Sequence, residues 1–278
     1  MLQASEYSNV NWDYIASKYD TFLVDMVGVI YDGINNFPEA IRALNKISDT
    51  KTIIFVSNTP RPSSLSYQKL ETFNIEKSYK VVTSGDFSRY LLQQNSFNSA
   101  LYYHWGNEKN SDLLDGMEVN LTDDIDKAEK VILSAFLEEN ENEDKYSDLI
   151  DKVIERNIPV YCTNPDKKAL YGKEIRKCAG YFSDIILSRN GEVHTWGKPN
   201  SDIYEYINNI YKDVLSNKEK CIMIGDTLET DIAGANSFGI DSLLVLSGIS
   251  GMEHQKNSLL LQKIKPTYIM DSLSVSVS

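Results

Sequence analysis

Several short apolar runs along the chain stop abruptly at small or polar residues. Residues 22–24, 53–56 and 222–224 form three such runs, and each is followed by Asp, Ser or Gly. Continuous apolar runs of this length are typical of strands that are buried on both faces of a parallel sheet. The pattern therefore predicts three buried strands of one sheet.

The segments between these runs have the spacing of amphipathic helices. The apolar residues at positions 40, 41, 44 and 47 would share one face of a helix. A chain that alternates strands with helices folds into a parallel sheet covered on both faces, so the predicted fold class is α/β. In such sheets the ligand site lies beyond the carboxyl ends of the strands, where the loops converge.

The middle of the chain has a similar pattern of its own. Strand-like runs at residues 131–133 and 159–162 are separated by the acidic stretch 138–144 and by helical spacing at positions 149, 150, 153 and 154. We therefore predict a second α/β lobe at residues 95–189. This lobe would be inserted between the two halves of a main domain, residues 1–94 and 190–278.

The length and the net charge of the chain limit its number of domains and the partners that it can bind. At 278 residues the chain exceeds the usual size of one domain, which agrees with two lobes. Its net charge of -12, from 28 basic and 40 acidic residues, would repel nucleic acid and anionic membranes, so we expect neither as a partner. An anionic substrate would need a local positive charge from a metal ion, a buried lysine or a helix N-terminus.

Cysteine and histidine usage excludes other classes of site. Cys162, Cys178 and Cys221 are too widely spaced for a disulfide framework or a zinc site, and we expect reduced core thiols. The three histidines lack the spacing of metal ligands. No secretory signal and no apolar stretch long enough to span a bilayer is visible, so a cytoplasmic protein is expected.

Two polar clusters follow the first two predicted strands. Asp25 precedes Gly28 in a short turn, which could arrange a carboxylate and backbone N–H groups around one anion. Ser57 and Asn58 offer a hydroxyl and amides that suit phosphate oxygens. Each cluster has a simpler alternative: Asp25 as a helix cap or loop residue, and Ser57 with Asn58 as the N-cap of the next helix.

Two further clusters lie in the last third of the chain. Lys198 lies between Gly197 and Pro199, and its simpler interpretation is a surface charge. Asp226 and Asp231 straddle a loop and a predicted helix start after the third strand. Hard oxygen ligands in that arrangement suit magnesium.

Taken in order, these clusters resemble the haloacid dehalogenase (HAD) superfamily over nearly the whole chain. The family pattern has a nucleophilic Asp, a Ser or Thr, a Lys, and an acidic pair of the form Gly-Asp-x-x-x-x-Asp. Finer details resemble subclass IIA, the branch of nitrophenyl-phosphate, nucleotide-type and pyridoxal-phosphate phosphatases. These details are residues 164–166 (Asn-Pro-Asp), 197–199 (Gly-Lys-Pro), 225–232 and 245–249.

The resemblance implies a Rossmann-like core, an inserted C2-type cap and hydrolysis of a small phosphorylated metabolite. Asp25 would attack phosphorus to form an aspartyl-phosphate, and Lys198 would neutralise charge beside it. Magnesium would be bound by Asp25, the backbone carbonyl of Val27, Asp226 and Asp231.

The resemblance also implies contacts to the substrate. Ser57 and the amides near Gly28 and Asn58 would hold phosphate oxygens, and Asn164 and Asp166 of the cap would line the pocket. The simpler interpretation of Asn164 and Asp166 is a turn, and that of the aromatic run at residues 102–105 is strand packing. Relatives often pair through their caps, so a homodimer stays open.

Val27 departs from the family pattern. It stands where family phosphatases carry a second Asp, which protonates the leaving group and then activates water. Losing a positioned acid/base typically lowers a rate by about 10²- to 10⁴-fold. Three outcomes follow: an activated substrate, a substitute acid such as Asp32 or a cap residue, or a protein that binds phosphates without turnover. For Asp32, a turn residue beside Gly33 is the preferred interpretation.

Two other chemistries tolerate the missing Asp. A metal-free dehalogenase has no use for Asp226 and Asp231 as metal ligands, and a phosphonate hydrolase needs an amine from the cap that the sequence does not identify. The leading prediction is therefore a magnesium-dependent phosphatase of reduced activity, with a non-catalytic binding protein as the alternative.

Overall fold

The computed structural model describes residues 10–76, 78–94, 99–139, 141–253 and 260–274. Strands and helices alternate along this part of the chain. The strands are β1 (Thr21–Val24), β2 (Thr52–Ser57), β3 (Tyr79–Thr83), β4 (Tyr102–Trp105), β5 (Lys130–Leu133), β6 (Val160–Cys162), β7 (Lys168–Tyr171), β8 (Glu174–Lys177), β9 (Val193–Thr195), β10 (Cys221–Gly225), β11 (Asp241–Val245) and β12 (Tyr268–Met270).

Helices connect most of these strands. They are α1 (Trp12–Lys18), α2 (Pro38–Asn45), α3 (Ser63–Glu71), α4 (Ser84–Leu92), α5 (Ser147–Glu155), α6 (Ala179–Ser188), α7 (Ser201–Ile210), α8 (Ala233–Phe238) and α9 (Ile249–Met252). Short 3₁₀ helices span Glu108–Leu114, Glu143–Tyr146 and Lys218–Lys220, and a π-helical turn spans Leu228–Ile232.

The larger sheet has the strand order β12-β11-β10-β1-β2-β3, and every neighbouring pair is parallel. All four residues of β1 are buried, because helices cover both faces of the sheet. Phe22 and Val24 belong to one apolar cluster and Leu23 to another, as the alternation of a strand requires. The α/β fold class predicted from the apolar runs is confirmed.

Helix α2 shows why the predicted helical spacing works. Pro38 occupies its first turn, where no backbone N–H is needed, and Ala40, Ile41 and Leu44 are buried against the sheet. The helix ends at Asn45, so Ile47 lies beyond it in a turn, where it is still buried. Ile47 was expected on the helix, but it contributes to the same apolar cluster from outside it.

A second, smaller sheet has the order β4-β5-β6-β9, again all parallel, and β7 and β8 form a separate antiparallel hairpin. This sheet has its own apolar cluster, which includes Trp105, Val131 and Phe182. The aromatic run at residues 102–105 forms β4, as its simpler interpretation held.

The predicted domain limits stay a prediction, with one difference from the observed pairing. Residues 193–195, which form β9, lie within the range 190–278 that is predicted for the second half of the main domain. Strand β9 instead pairs with β6 of the smaller sheet. The other limit, at residue 95, lies outside the described residues.

Within the described ranges, no helix combines the length and the apolar character that crossing a membrane requires. Cys162, Cys178 and Cys221 are free and buried, as expected of core thiols.

Candidate active site

The three polar clusters that follow strands converge at one edge of the larger sheet. Strands β10, β1 and β2 are direct neighbours, and Val24 at the end of β1 pairs with Ile224 on one side and Phe55 on the other. Asp25 and Asp226 therefore emerge side by side from adjacent strands, with Ser57 at the end of the third. The backbone N–H of Asp25 donates to the carbonyl of Ile224 at 2.8 Å.

Three carboxylates gather at this edge. One oxygen from each of Asp25, Asp226 and Asp231 lies within 4.8 Å of the others. Asp231 reaches the cluster because a π-helical turn follows β10, in which the N–H groups of Asp231 and Ile232 both donate to the carbonyl of Thr227 at 3.0 and 3.3 Å. Such turns are rare and often occur at functional sites.

Lys198 is the cation that faces these carboxylates. Its side chain is 1% exposed, and Nζ donates to Asp25 Oδ1 at 2.8 Å, to the carbonyl of Val56 at 2.7 Å and to Asp231 Oδ1 at 2.7 Å. Burial alone would lower the pKa of Lys198, but the negative charges of Asp231 and Asp25 outweigh burial and raise it. Lys198 is therefore a charged residue of the site, and its interpretation as a surface charge is wrong.

The excess negative charge of the three carboxylates favours binding of a cation. Burial, together with Asp231, raises the pKa of Asp226 to about 7. Burial also raises the pKa of Asp25, and the charge of Lys198 only partly opposes this. One lysine therefore does not balance the negative charge of the cluster. Clustered carboxylate oxygens are the ligands that hard divalent cations prefer, so Asp25, Asp226 and Asp231 fit such an ion.

Asp231 is the most constrained member of the cluster. It is 1% exposed, its Oδ1 accepts from Lys198, and its Oδ2 accepts from the N–H of Thr227 at 3.1 Å. Both oxygens are thus already engaged. This geometry favours Asp231 as the residue that holds Lys198, while its predicted role as a metal ligand stays a prediction.

Glycines make room for Asp226. A Cβ added to Gly28 would lie 2.2 Å from Asp226 Oδ2, and one added to Gly248 would lie 1.9 Å from the same oxygen. Gly28 also has a φ of +85°, a conformation that favours glycine. The N–H of Ile249 donates to Asp226 Oδ2 at 2.6 Å, which fixes the carboxylate against these two glycines.

The backbone N–H of Gly28 has a different role from the one that the resemblance implies. It donates to the carbonyl of Tyr31 at 2.7 Å and so is engaged within the loop rather than open to a phosphate. Gly28 serves the site through its missing side chain.

Asn58 ties the second cluster to Lys198 and to the cap. Its Oδ1 accepts from the N–H of Lys198 at 2.9 Å, and its Nδ2 donates to the carbonyl of Lys198 at 2.9 Å and to Asp166 Oδ1 at 2.8 Å. The alternative for this cluster, an N-cap, is wrong, because α3 begins at Ser63 after Pro62. The side chain of Asn58 positions other site residues and has no donor left over for substrate.

A cavity of about 360 Å³ opens above the carboxylates, between the larger sheet and the cap. The predicted site residues that line it are Asp25, Val27, Ser57, Asn164, Asp166 and Asp226. Lys198, Asn58 and Asp231 lie behind this surface and are almost completely buried. The sequence clusters are therefore brought together, although they occupy different depths.

The cap segment 164–166 forms the expected turn and still reaches the cavity. Asn164 Oδ1 accepts from the N–H of Asp166 at 3.1 Å, which is the hydrogen bond of an Asx turn. Burial raises the pKa of Asp166 to about 6, although the positive charge of Lys198 opposes the rise. Asp32, in contrast, accepts from the N–H groups of Ile34 and Asn35 and is a turn residue, as its preferred interpretation held.

Other residues of the site could not be identified from a pattern in the sequence. Thr227 and Thr230 line the cavity within the acidic motif, and Arg61, Lys109 and Arg176 add positive charge to its outer wall. Arg61 directly follows the Ser57 cluster in the sequence, but the approach of Lys109 and Arg176 from the cap depends on the tertiary fold.

Comparison with known proteins gives a consistent result. A family model described as haloacid dehalogenase-like hydrolase matches residues 22–120, and a second, described as HAD-hydrolase-like, matches residues 195–276. The two matches flank the middle of the chain. Together they contain Asp25, Ser57, Lys198, Asp226 and Asp231.

Similar proteins cover nearly the whole chain. A solved haloacid dehalogenase-like hydrolase from Brucella suis 1330 is 28% identical, with a TM-score of 0.83, and the match covers 95% of this chain and 98% of that one. An acid sugar phosphatase of Staphylococcus haemolyticus is 24% identical over 94% of this chain and 96% of its own length. The p-nitrophenyl phosphatase from Archaeoglobus fulgidus shares the fold, with 22% identity, a TM-score of 0.72, and coverage of 92% and 97%.

Proposed function

Because the chain belongs to the haloacid dehalogenase-like hydrolases, we propose that it is a magnesium-dependent phosphatase that acts on a small phosphorylated metabolite. The observation that carries this proposal is the position of Asp25. Its carboxylate borders the cavity, accepts from Lys198 at 2.8 Å and lies in one cluster with Asp226. The similarity to an acid sugar phosphatase supports a phosphorylated metabolite as the substrate class.

In this proposal Asp25 is the nucleophile. An oxygen of Asp25 attacks phosphorus, and an aspartyl-phosphate forms as the leaving group departs. The hydrogen bond from Lys198 orients the carboxylate and offsets its charge as the anionic substrate approaches. Ser57 borders the same cavity, so its hydroxyl can hold a phosphoryl oxygen.

Asp25, Asp226 and the backbone carbonyl of Val27 would hold the magnesium ion, with Asp231 holding Lys198 beside it. When bound, a divalent cation supplies positive charge that offsets the phosphoryl oxygens and the carboxylates. Asp231 keeps Lys198 charged and in place through the 2.7 Å hydrogen bond to Nζ. The packing of Gly28 and Gly248 against Asp226 fixes the carboxylate on that side.

A protein that binds phosphates without turnover is the second candidate, and Val27 is the observation that favours it. Valine borders the cavity where the resemblance expects an acid, and its side chain cannot transfer a proton. This candidate predicts that phosphate analogues bind while no substrate is hydrolysed.

The homodimer stays a prediction that sedimentation equilibrium would test.

Hydrolysis of nitrophenyl phosphate with magnesium tests the proposed function. We expect the parent protein to release nitrophenol and Asp25→Asn to release none above background, because an amide cannot act as the nucleophile. Asp32→Asn is the matched control, since its side chain caps a turn and does not border the cavity. Equal rates for Asp25→Asn and the parent would refute the assignment of the nucleophile.

A further inference from the structure

The cavity beside Asp25 lacks a proton donor at position 27. Hydrolysis through an aspartyl-phosphate needs an acid for the leaving oxygen and then a base for the attacking water. Val27 borders the cavity and offers neither. Another carboxyl group of this chain would therefore have to reach the same cavity, an inference that rests on the proposed function.

Asp166 is such a group. It comes from the cap, follows the Asx turn at Asn164, and borders the same cavity as Asp25 and Val27. Its negative charge is among the causes of the raised pKa of Asp25, so the two carboxyl groups are close enough to interact. Its Oδ1 accepts from Asn58 Nδ2 at 2.8 Å, and Thr230 of the core borders the same cavity.

These contacts position the carboxyl group against the catalytic core. The amide that donates to Asp166 also donates to the carbonyl of Lys198, whose Nζ holds Asp25. A chain of hydrogen bonds thus runs from Asp166 through Asn58 and the backbone of Lys198 to the nucleophile. Asp166 borders from the cap side the same cavity that Asp25 borders from the core, and a leaving group above Asp25 would occupy this cavity.

The protonation state of Asp166 suits proton transfer in both directions. Burial raises its pKa to about 6, so both the acid and the carboxylate forms are accessible near neutral pH. A phosphate dianion in the cavity would raise this pKa further, because it brings a second negative charge close to the first. Substrate binding would therefore favour the protonated form that the first step needs.

We propose that Asp166 replaces the missing acid/base residue of this active site. As Asp25 attacks phosphorus and the bond to the leaving oxygen breaks, that oxygen takes the proton of the Asp166 carboxyl group. Water then attacks the phosphorus of the aspartyl-phosphate and gives a proton to the Asp166 carboxylate. Phosphate leaves, the Asp25 carboxylate is restored, and Asp166 is again protonated.

The cationic side chains that line the cavity in front of Lys198 are held in ion pairs, and Lys168 pairs with Glu253 at 2.7 Å. Arg61 pairs with Asp112 at 2.7 Å, and Arg176 and Lys109 both pair with Glu138, at 3.0 and 2.6 Å. These side chains add positive charge to the outer wall of the cavity.

A series of phosphate esters with one ring and different leaving groups tests the proposal. Nitrophenyl, phenyl and benzyl phosphate need increasing help from an acid. We expect Asp166→Asn to lower the rate of the first step with benzyl phosphate by about 10²-fold or more and to leave that with nitrophenyl phosphate unchanged. A purely structural role for Asp166 would lower all three rates equally, and that outcome would overturn the proposal.

Trapping the intermediate gives a second readout. With nitrophenyl phosphate, Asp166→Asn should release one equivalent of nitrophenol in a burst and then stall, because no base activates water. Mass spectrometry should detect the phosphorylated enzyme. Asp166→Glu should restore part of the turnover, and Val27→Asp should restore it in the Asp166→Asn background. Turnover by Asp166→Asn at the parental rate, without a burst, would overturn the proposal.

Two controls separate this proposal from the proposed function. Asp32→Asn should behave like the parent with all three esters. Magnesium affinity, measured by calorimetry, should be unchanged in Asp166→Asn, because Asp166 is outside the carboxylate cluster. If the parent itself hydrolyses no ester and forms no phosphoenzyme, the proposed function fails. If the parent is active and Asp166→Asn shows the same dependence on leaving group, only the role of Asp166 fails.

Discussion

Replacing Gly248 with alanine should disable the site through one steric contact. The added Cβ would lie 1.9 Å from Asp226 Oδ2, whereas real Cβ contacts essentially never fall below 3.0 Å. Either the carboxylate or the backbone must therefore move by about 1 Å, and a misplacement of this size can cost about 10²-fold in rate. The φ of Gly248 is −112°, outside the left-handed region, so the contact rather than backbone strain causes the effect.

The expected result is a combined loss of metal affinity and activity. We expect Gly248→Ala to weaken magnesium binding by about 10- to 100-fold, the usual effect of disturbing a group that orients a metal ligand. The ratio kcat/KM for nitrophenyl phosphate should fall by about 10²-fold at fixed magnesium and recover in part when magnesium is raised. Calorimetry measures the first quantity, and initial rates measure the second.

Gly116→Ala provides the control for a general loss of stability. Gly116 has a φ of +71° and nothing within 4 Å of an added Cβ, so this variant carries backbone strain and no new contact. It should lose about 1–2 kcal/mol of stability and keep its magnesium affinity. Parental magnesium affinity in Gly248→Ala would refute the claim that this glycine makes room for a metal ligand.

Three further predictions follow from the buried charges and the contact between cap and core. Lys198→Met should lower the free energy of unfolding of the metal-free protein by about 3–5 kcal/mol in urea titrations, because the carboxylates of Asp231 and Asp25 lose their buried cationic partner. Added magnesium should recover part of this loss of stability. In metal-free protein the pKa of Asp226 is raised to about 7, so this carboxyl group stays protonated to a higher pH in the folded state than in the unfolded chain. The contribution of Asp226 to stability should therefore fall as pH rises from about 4 to about 7. Thermal melts should show this fall in melting temperature without magnesium and a higher melting temperature when magnesium is added. Gly33→Ala would place a Cβ 2.5 Å from the carbonyl of Leu170 in the cap hairpin at a φ of +91°, so we expect this hairpin to be cleaved faster by trypsin and KM to rise, with Gly116→Ala unaffected.

The residues at the ends of strands could be predicted from the sequence. Asp25, Ser57 and Asp226 each follow an apolar run, and parallel strands bring their carboxyl ends to one edge of the sheet. Pairing of adjacent strands then places Asp25 and Asp226 side by side. The apolar runs are enough to place these residues at one edge of the sheet, whereas the strand order that sets Asp25 beside Asp226 comes from the fold.

The position of Lys198 in the site could not be predicted from the local sequence pattern alone. Its loop lies 140 residues from Asn58, and the hydrogen bonds between the two residues decide that Lys198 points into the site. Only the order of motifs in the family resemblance suggested this before the fold was known. From the residues alone, a lysine before a proline is most simply a surface charge.

The family resemblance placed Asp166 of the cap at the pocket, but its hydrogen bond to the core could not be predicted from the sequence. Asp166 meets Asn58 across 108 residues of sequence, and the turn at residues 164–166 explains the local pattern without that contact. The pairing of β9 with β6 was not predicted for a similar reason, since it depends on the path of the chain and not on its apolar spacing.

A crystal structure with magnesium and beryllofluoride would test the central claim most directly. Beryllofluoride mimics the phosphoryl group on a carboxylate. We predict that it binds Asp25, with one magnesium ion bound by Asp25 and Asp226 and with Lys198 still in contact with Asp25. A metal ion bound away from these two carboxylates, or an adduct on any other residue, would contradict the account.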